Sequence, residues 1–222
     1  DAIYAALSDR EKLLTGCFQF EKSWLETYWR QKGYELEEYE IFLTLMFKNR
    51  FEIAYSRKDR NGTEWVIVPE LLPALPPKYK LEKGGNPLVF RYEYEFMPEG
   101  LLSHFIVRMS EEIMEQNHKQ LVWKNGVFLH NKNSVFSEIR RLDIEGNRKI
   151  NFETNLWGSN RDEFLWRIRK EFELVNKRFS NNLKPIELIP CICSDCKKSK
   201  TPQFYDLSKL LSFKEKGRPT KE

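Results

Sequence analysis

Between positions 69 and 85 the chain carries Pro69, Pro73, Pro76 and Pro77 and closes on Gly84-Gly85. Proline has no backbone N–H to give and glycine weakens regular structure, so no helix or central strand runs through such a stretch. The run divides the chain near residue 80 into two parts that must each find a core. With 222 residues, 41% of them hydrophobic and 14% aromatic, there is apolar material for two modest cores.

The first part begins with helical spacing. Over 21–32, Trp24, Leu25, Tyr28 and Trp29 fall on one face, and Gly33 stands where a left-handed residue ends a helix. A second helix is predicted from about Leu36 to Asn49, with Leu36, Tyr39, Phe42, Leu43 and Met46 on its apolar side. The period then shortens. Phe51, Ile53 and Tyr55 alternate with Glu52, Ala54 and Ser56 as a half-buried strand, and a polar turn leads to Trp65-Val-Ile-Val68. Two helices followed by a hairpin make a winged-helix-like arrangement over 1–80.

The second part opens on a clean alternation, with Leu88, Phe90, Tyr92, Tyr94 and Phe96 on one face of a strand. Met97-Pro98-Glu99-Gly100 then starts a helix, and Leu101, Phe105, Met109 and Ile113 at four-residue intervals carry it to about Gln116-Asn117. Residues 121–130 read as a hairpin turning at Asn125-Gly126. Strands follow at about 134–143 and 148–157, joined around Glu145-Gly146-Asn147, and then a long amphipathic helix at 161–179. The expected fold is α+β: a helical, winged-helix-like first subdomain, an antiparallel sheet backed by two helices over 81–190, and a basic, cysteine-containing tail over 191–222.

Charge limits the function classes. Residues 1–80 hold 12 Lys/Arg against 13 Asp/Glu and residues 81–190 hold 17 against 16, so the net +4 resides in the tail. A nucleic-acid surface requires Lys and Arg spread over it to neutralise phosphates. The second helix instead opens with Glu35, Glu37, Glu38 and Glu40, the wrong charge for a groove. A winged-helix DNA-binding regulator with a second sensing domain stays open only as an alternative. No apolar run approaches the length of a membrane span and no signal peptide is evident. The chain starts without Met, which predicts a segment ahead of Asp1.

Catalytic groups do not assemble on paper. No phosphate-cradling glycine motif occurs, and His104, His118 and His130 are scattered. His104, in a predicted helix, suits a structural or interfacial role; His118 and His130 suit the surface. The trio Glu111, Glu112 and Glu115 reads as a solvated helix face. No catalytic or cofactor-binding residue is assigned. Cys191, Cys193 and Cys196 form a C-x-C-x-x-C run after Pro190, a thiol set suited to a soft divalent metal such as zinc. A fourth ligand would come from Cys17, from Asp195 or from beyond residue 222, and free thiols are the alternative. Such clustering is a poor disulfide framework and fits a reducing, cytoplasmic setting.

From Tyr92 through Met97-Pro98-Glu-Gly-Leu101 to Phe105-Ile-Val-Arg108 the sequence resembles the COR domain, the C-terminal of Roc region of Roco-family GTPases. Trp123-Lys-Asn-Gly-Val127 resembles that family's Trp-x-x-Gly hairpin, and Val68-Pro-Glu-Leu-Leu-Pro73 the end of its winged-helix-like first half. Pro190-Cys-Ile-Cys-Ser-Asp-Cys196 with Thr201-Pro-Gln-Phe204 resembles the tail of prokaryotic members. The resemblance implies a COR-A-like subdomain over 1–80 and a COR-B-like dimerisation subdomain over 81–190. It further implies a non-catalytic homodimer that regulates an adjacent Roc GTPase, with GTP and Mg²⁺ belonging to that absent domain. Leucine-rich repeats and a kinase domain belong to the family's longer members. Trp123, beside a predicted turn, and Trp157, before Gly158, are the interface candidates, with Phe105 and His104 on the signature helix. A zinc-dependent interaction module centred on the cysteines is a further alternative.

Overall fold

A computed structural model describes residues 2–13, 19–47, 50–131, 135–143, 150–180, 183–199 and 201–216. In chain order its first elements are helix α1 (Ala2–Leu13), strand β1 (Gln19–Glu21), helices α2 (Lys22–Gln31) and α3 (Leu36–Met46), and strands β2 (Tyr55–Lys58), β3 (Glu64–Ile67) and β4 (Leu88–Tyr94). Next come helix α4 (Leu101–Arg108) and strands β5 (Glu115–Gln116), β6 (Lys119–Gln120), β7 (Val122–Trp123), β8 (Gly126–His130), β9 (Phe136–Asp143) and β10 (Ile150–Trp157). The chain closes with helix α5 (Arg161–Phe179), strand β11 (Ile186–Pro190), helix α6 (Ser194–Lys198), strand β12 (Phe204–Asp206) and helix α7 (Leu207–Glu215). The fold is α+β, as expected.

Two compact units result: residues 1–79 with 100–127, and residues 80–99 with 128–222. A single cut near residue 80 does not anticipate this, because the segment after β4 returns to the first unit.

In the first unit, β1, β3 and β2 pair in that order as an antiparallel sheet under α1, α2 and α3. Phe20, Leu25, Trp29, Leu43, Met46 and Val66 are buried together as its core. Helix α2 ends where expected, with Gly33 left-handed at φ 84°. Helix α3 starts on a reciprocal cap in which Glu38 accepts the Glu35 N–H at 2.8 Å. It stops at Met46, earlier than predicted, and its first apolar residue, Leu36, is exposed.

The strand predicted over 51–56 starts only at Tyr55. Phe51, Ile53 and Ala54 donate their N–H groups back to the last carbonyls of α3, and Glu52 takes the left-handed conformation at φ 55°. Glu52 is therefore buried rather than solvent-facing. The polar turn is organised by Asp59, whose carboxylate accepts N–H groups of Asn61, Thr63 and the Trp65 indole. Those bonds, the indole first, hold its carboxyl below the usual range.

The helix predicted to reach Asn117 ends at Arg108. A single 3₁₀ turn follows over Ser110–Glu112, then the β5–β6 hairpin, whose central residues Asn117 and His118 both have positive φ. That is the backbone a type I′ turn requires. Met109 and Ile113 are still buried, so the apolar spacing reported burial and not helix. Glu112 is buried, whereas Glu111 and Glu115 are exposed, Glu115 pairing with Arg57 at 3.1 Å. In the β7–β8 hairpin Trp123 pairs with Gly126, which centres the turn on Lys124-Asn125, one residue before the predicted pair. Neither Asn125 nor Gly126 has positive φ.

Seven strands form one antiparallel sheet in the order β12-β11-β4-β10-β9-β8-β7. On one face Phe90, Tyr92, Tyr94 and Phe152 are buried, and Phe172 of α5 packs its ring against Tyr92 and Phe152. The Tyr94 hydroxyl donates to Asn176 at 3.0 Å, and Arg169 clamps Glu187 across to β11. Burial pushes the Tyr92 and Tyr94 hydroxyls well above the ordinary phenol range. Phe96, predicted on the buried face, lies beyond the end of β4 and is 76% exposed. The turn expected around Glu145-Gly146-Asn147 lies outside the described residues.

Candidate functional site

The three clustered cysteines lie in the connection between β11 and β12. These strands pair Leu188 with Asp206, Ile189 with Tyr205 and Pro190 with Phe204, which brings the two ends of the connection together. The Cys191 N–H donates to the Gln203 carbonyl at 2.7 Å, immediately past the last strand pair. Cys193 precedes α6, and its Sγ accepts the N–H of Cys196 at 3.4 Å. The three Sγ atoms all lie within 4.8 Å of one another; Cys191 and Cys196 are half-buried and Cys193 is exposed.

This geometry moves the thiols apart in acidity. The Cys196 N–H, then the Cys191 and Cys196 side chains, stabilise the Cys193 thiolate and lower its pKa. At Cys196 a hydrogen bond from the Gln203 backbone pulls downward, but the two neighbouring thiols outweigh it and the pKa rises. Negative charge on Cys191 pushes up the Tyr205 hydroxyl beside it. Downstream, Asp206 caps α7 by accepting from Ser208 and Lys209.

The first unit holds a second concentration of polar groups. Glu52, 1% exposed, accepts from Arg108 at 2.7 Å, and His104 Nδ1 lies 3.6 Å from its other oxygen. A cavity of about 310 Å³ opens beside them, lined also by Tyr4, Leu7, Val68 and Glu70. Ser103 donates to Glu70 at 2.8 Å, and Lys124 pairs with the same carboxylate at 2.7 Å. Sequence reading assigned no role to Glu52 or Arg108. The signal was available only as a charged residue at the end of an apolar helix face.

The sheet face opposite α5 is charged as well as apolar. Arg91 pairs with Glu153 at 2.6 Å and stacks on the Phe204 ring at 3.7 Å. Glu138, almost fully buried, accepts from Lys83 at 2.6 Å and from Arg140. The Lys83 ammonium also lies 4.9 Å from the Trp157 ring.

Of the interface candidates, Trp123, Trp157 and Phe105 are buried within the chain, Trp157 stacked against Phe136. His104 is half-buried at the Glu52 cavity. His118 and His130 are exposed. The exposed tryptophan is Trp166, on the outer side of α5 at 60%, with Leu174 two turns further along.

An antiparallel sheet carrying one long helix, with a cysteine-bearing hairpin at its edge, gives the second unit its α+β fold. The family model for the C-terminal of Roc, COR-B domain matches residues 85–222, and the chain belongs to that family. The match runs through the cysteines to the end of the chain, so the basic tail is part of the domain. It is a module of the kind associated with Roco-family GTPases. A comparison with curated proteins finds no match. Among the described residues no helix is long and apolar enough to cross a membrane.

Proposed function

We propose that this chain is a non-catalytic regulatory module of a Roco protein, coupling the nucleotide state of an adjacent Roc GTPase domain to homodimerisation. The observation that carries this reading is the COR-B match over residues 85–222. The segment 1–80 then serves as the COR-A-like part, a winged helix used for protein contact. Its element order and its β1-β3-β2 sheet support that assignment.

The electrostatics favour a protein partner over DNA. Helix α3 begins with Glu37 and Glu38, and Glu40 is engaged by Lys22 at 2.9 Å, so this helix brings carboxylates where phosphates would lie. For dimerisation, the outer side of α5 offers a large apolar side chain in Trp166, with Lys170 set 5.7 Å from its ring and Leu174 beyond. Exposed aromatics of this size are the usual anchors of an interface.

The test is sedimentation velocity on this chain joined to its Roc domain, in GDP and in a non-hydrolysable GTP analogue. A nucleotide-dependent monomer–dimer shift is expected, weakened about tenfold or more by Trp166→Glu. A strict monomer at tens of micromolar in both nucleotides refutes the proposal.

A further inference from the structure

The β11–β12 connection has the features of a metal knuckle. Three Sγ atoms lie within 4.8 Å of one another. A tetrahedral zinc with Zn–S bonds of about 2.3 Å sets its sulfurs roughly 3.8 Å apart, so modest side-chain rotation suffices to close the set on an ion. The backbone is already arranged for thiolates. In Cys193-Ser-Asp-Cys196 the Cys193 sulfur accepts the N–H of Cys196 at 3.4 Å. N–H groups aimed at sulfur offset the negative charge that a metal-bound thiolate keeps.

The surrounding chain closes this loop by backbone pairing. Cys191 is fixed to Gln203 at 2.7 Å, and strand pairing begins at the next residue on each side. An ion would thus enter a largely formed site, with Cys193 on its exposed side.

We propose that Cys191, Cys193 and Cys196 bind one Zn²⁺ as thiolates, with an exchangeable oxygen ligand, water or the Asp195 carboxylate, completing the tetrahedron. Soft sulfur donors select zinc over magnesium or calcium, and a d¹⁰ ion imposes no geometry of its own on the hairpin. On binding, the thiols release their protons to solvent, so affinity increases with pH. The bound ion locks α6 and β12 against the end of β11, which ties the tail to the sheet. Cys17 lies outside the described residues and is not needed for this set.

The whole chain, purified under reducing conditions, is titrated with Zn²⁺ and with Co²⁺ as a spectroscopic probe. The expected results are one Zn²⁺ per chain and, with Co²⁺, thiolate charge-transfer absorption together with tetrahedral ligand-field bands. Zinc should also protect Cys191, Cys193 and Cys196 from alkylation, read by mass mapping. Cys191→Ser, Cys193→Ser and Cys196→Ser should each lower metal affinity by about 100-fold or more, since losing even an outer-shell partner costs 10- to 100-fold. Cys17→Ser should leave the cobalt spectrum unchanged. Absence of cobalt–thiolate absorption in the unaltered chain, undiminished affinity in Cys193→Ser, or loss of binding in Cys17→Ser each overturns the assignment. The alkylation pattern of the unaltered chain, with and without zinc, decides the matter even where a variant fails to fold.

Discussion

Removing the Arg108 guanidinium should cost the first unit more than any surface substitution. Glu52 is 1% exposed and its carboxylate sits 2.7 Å from the guanidinium. At an effective dielectric constant of about 20, two unit charges at that distance attract by roughly 6 kcal/mol, most of it offset by the water both have given up. Breaking such a pair from one side leaves the other charge buried, a loss of about 3–5 kcal/mol. Arg108 retains some exposure and His104 stands 3.6 Å from Glu52, which places Arg108→Met near the lower end, about 3 kcal/mol. Glu52→Gln keeps the shape and removes only the charge facing the better-solvated guanidinium, at about 1–2 kcal/mol. The double variant Glu52→Gln with Arg108→Met should fall short of the sum by about 1.5 kcal/mol. Because the two units need not unfold together, urea denaturation is best followed by fluorescence in a Trp157→Phe, Trp166→Phe background. The remaining tryptophans, Trp24, Trp29, Trp65 and Trp123, all lie in the first unit. Additivity within about 0.5 kcal/mol, or an Arg108→Met loss under about 0.5 kcal/mol, would refute the reasoning.

Three further outcomes follow from the packing and titration. Phe172→Ala removes a fully buried ring packed against Tyr92 and Phe152 and should destabilise the second unit by about 3–5 kcal/mol in urea.

 The loss should be read from the transition that Trp157 and Trp166 report. Gly33→Ala meets no steric neighbour, yet it forces an L-residue to φ 84°, and should lower stability by about 1 kcal/mol, seen as a drop in Tm. The Tyr28 hydroxyl donates to Asp9 at 2.5 Å, and that bond, with burial and the carboxylate charge, pushes its pKa up to about 12. A phenol raised in the folded state contributes stability that is full below its ordinary value near 10 and is lost as pH climbs from there to about 12. Tyr28→Phe should therefore be less stable than the unaltered chain at pH 8, and the gap should narrow across that interval, measured by urea midpoints at each pH.

Much of the fold was legible because apolar spacing reports burial directly. Helices α2, α3 and α5 and strands β4, β9 and β10 lie within a few residues of where their periods put them, and Gly33 ends α2 as its backbone freedom allows. The failures share a cause. Met109 and Ile113 keep four-residue spacing and are buried, but α4 ends at Arg108 and only a 3₁₀ turn links the two, with a tight hairpin following. Asn117-His118 carries no glycine to announce a positive-φ turn. Strands β11 and β12 escaped notice because none of their residues is fully buried, so no apolar face marks them.

The cysteines were legible as a cluster from spacing alone. Their placement between paired strands was not, since it depends on Pro190 and Phe204 meeting across thirteen intervening residues. Exposure is harder to read than spacing: a tryptophan beside a turn looks available in one dimension, while Trp123 and Trp157 are buried in three. Glu52 could not be found by pattern, because its burial rests on one left-handed residue and on an arginine 56 positions away.

The order of strands in the large sheet bears on how the chain is made. β4, the sheet's earliest strand in the sequence, is flanked by β10 on one side and by β11 on the other, with Ile186 opposite Glu93 and Leu188 opposite Arg91. During synthesis β4 therefore waits, with one row of N–H and C=O groups unpaired, until almost a hundred further residues have been added. An uncovered edge of that kind is a template for pairing with another chain. A nascent or truncated chain ending before Ile186 would carry an adhesive edge that the finished protein conceals, so the last strands guard the first.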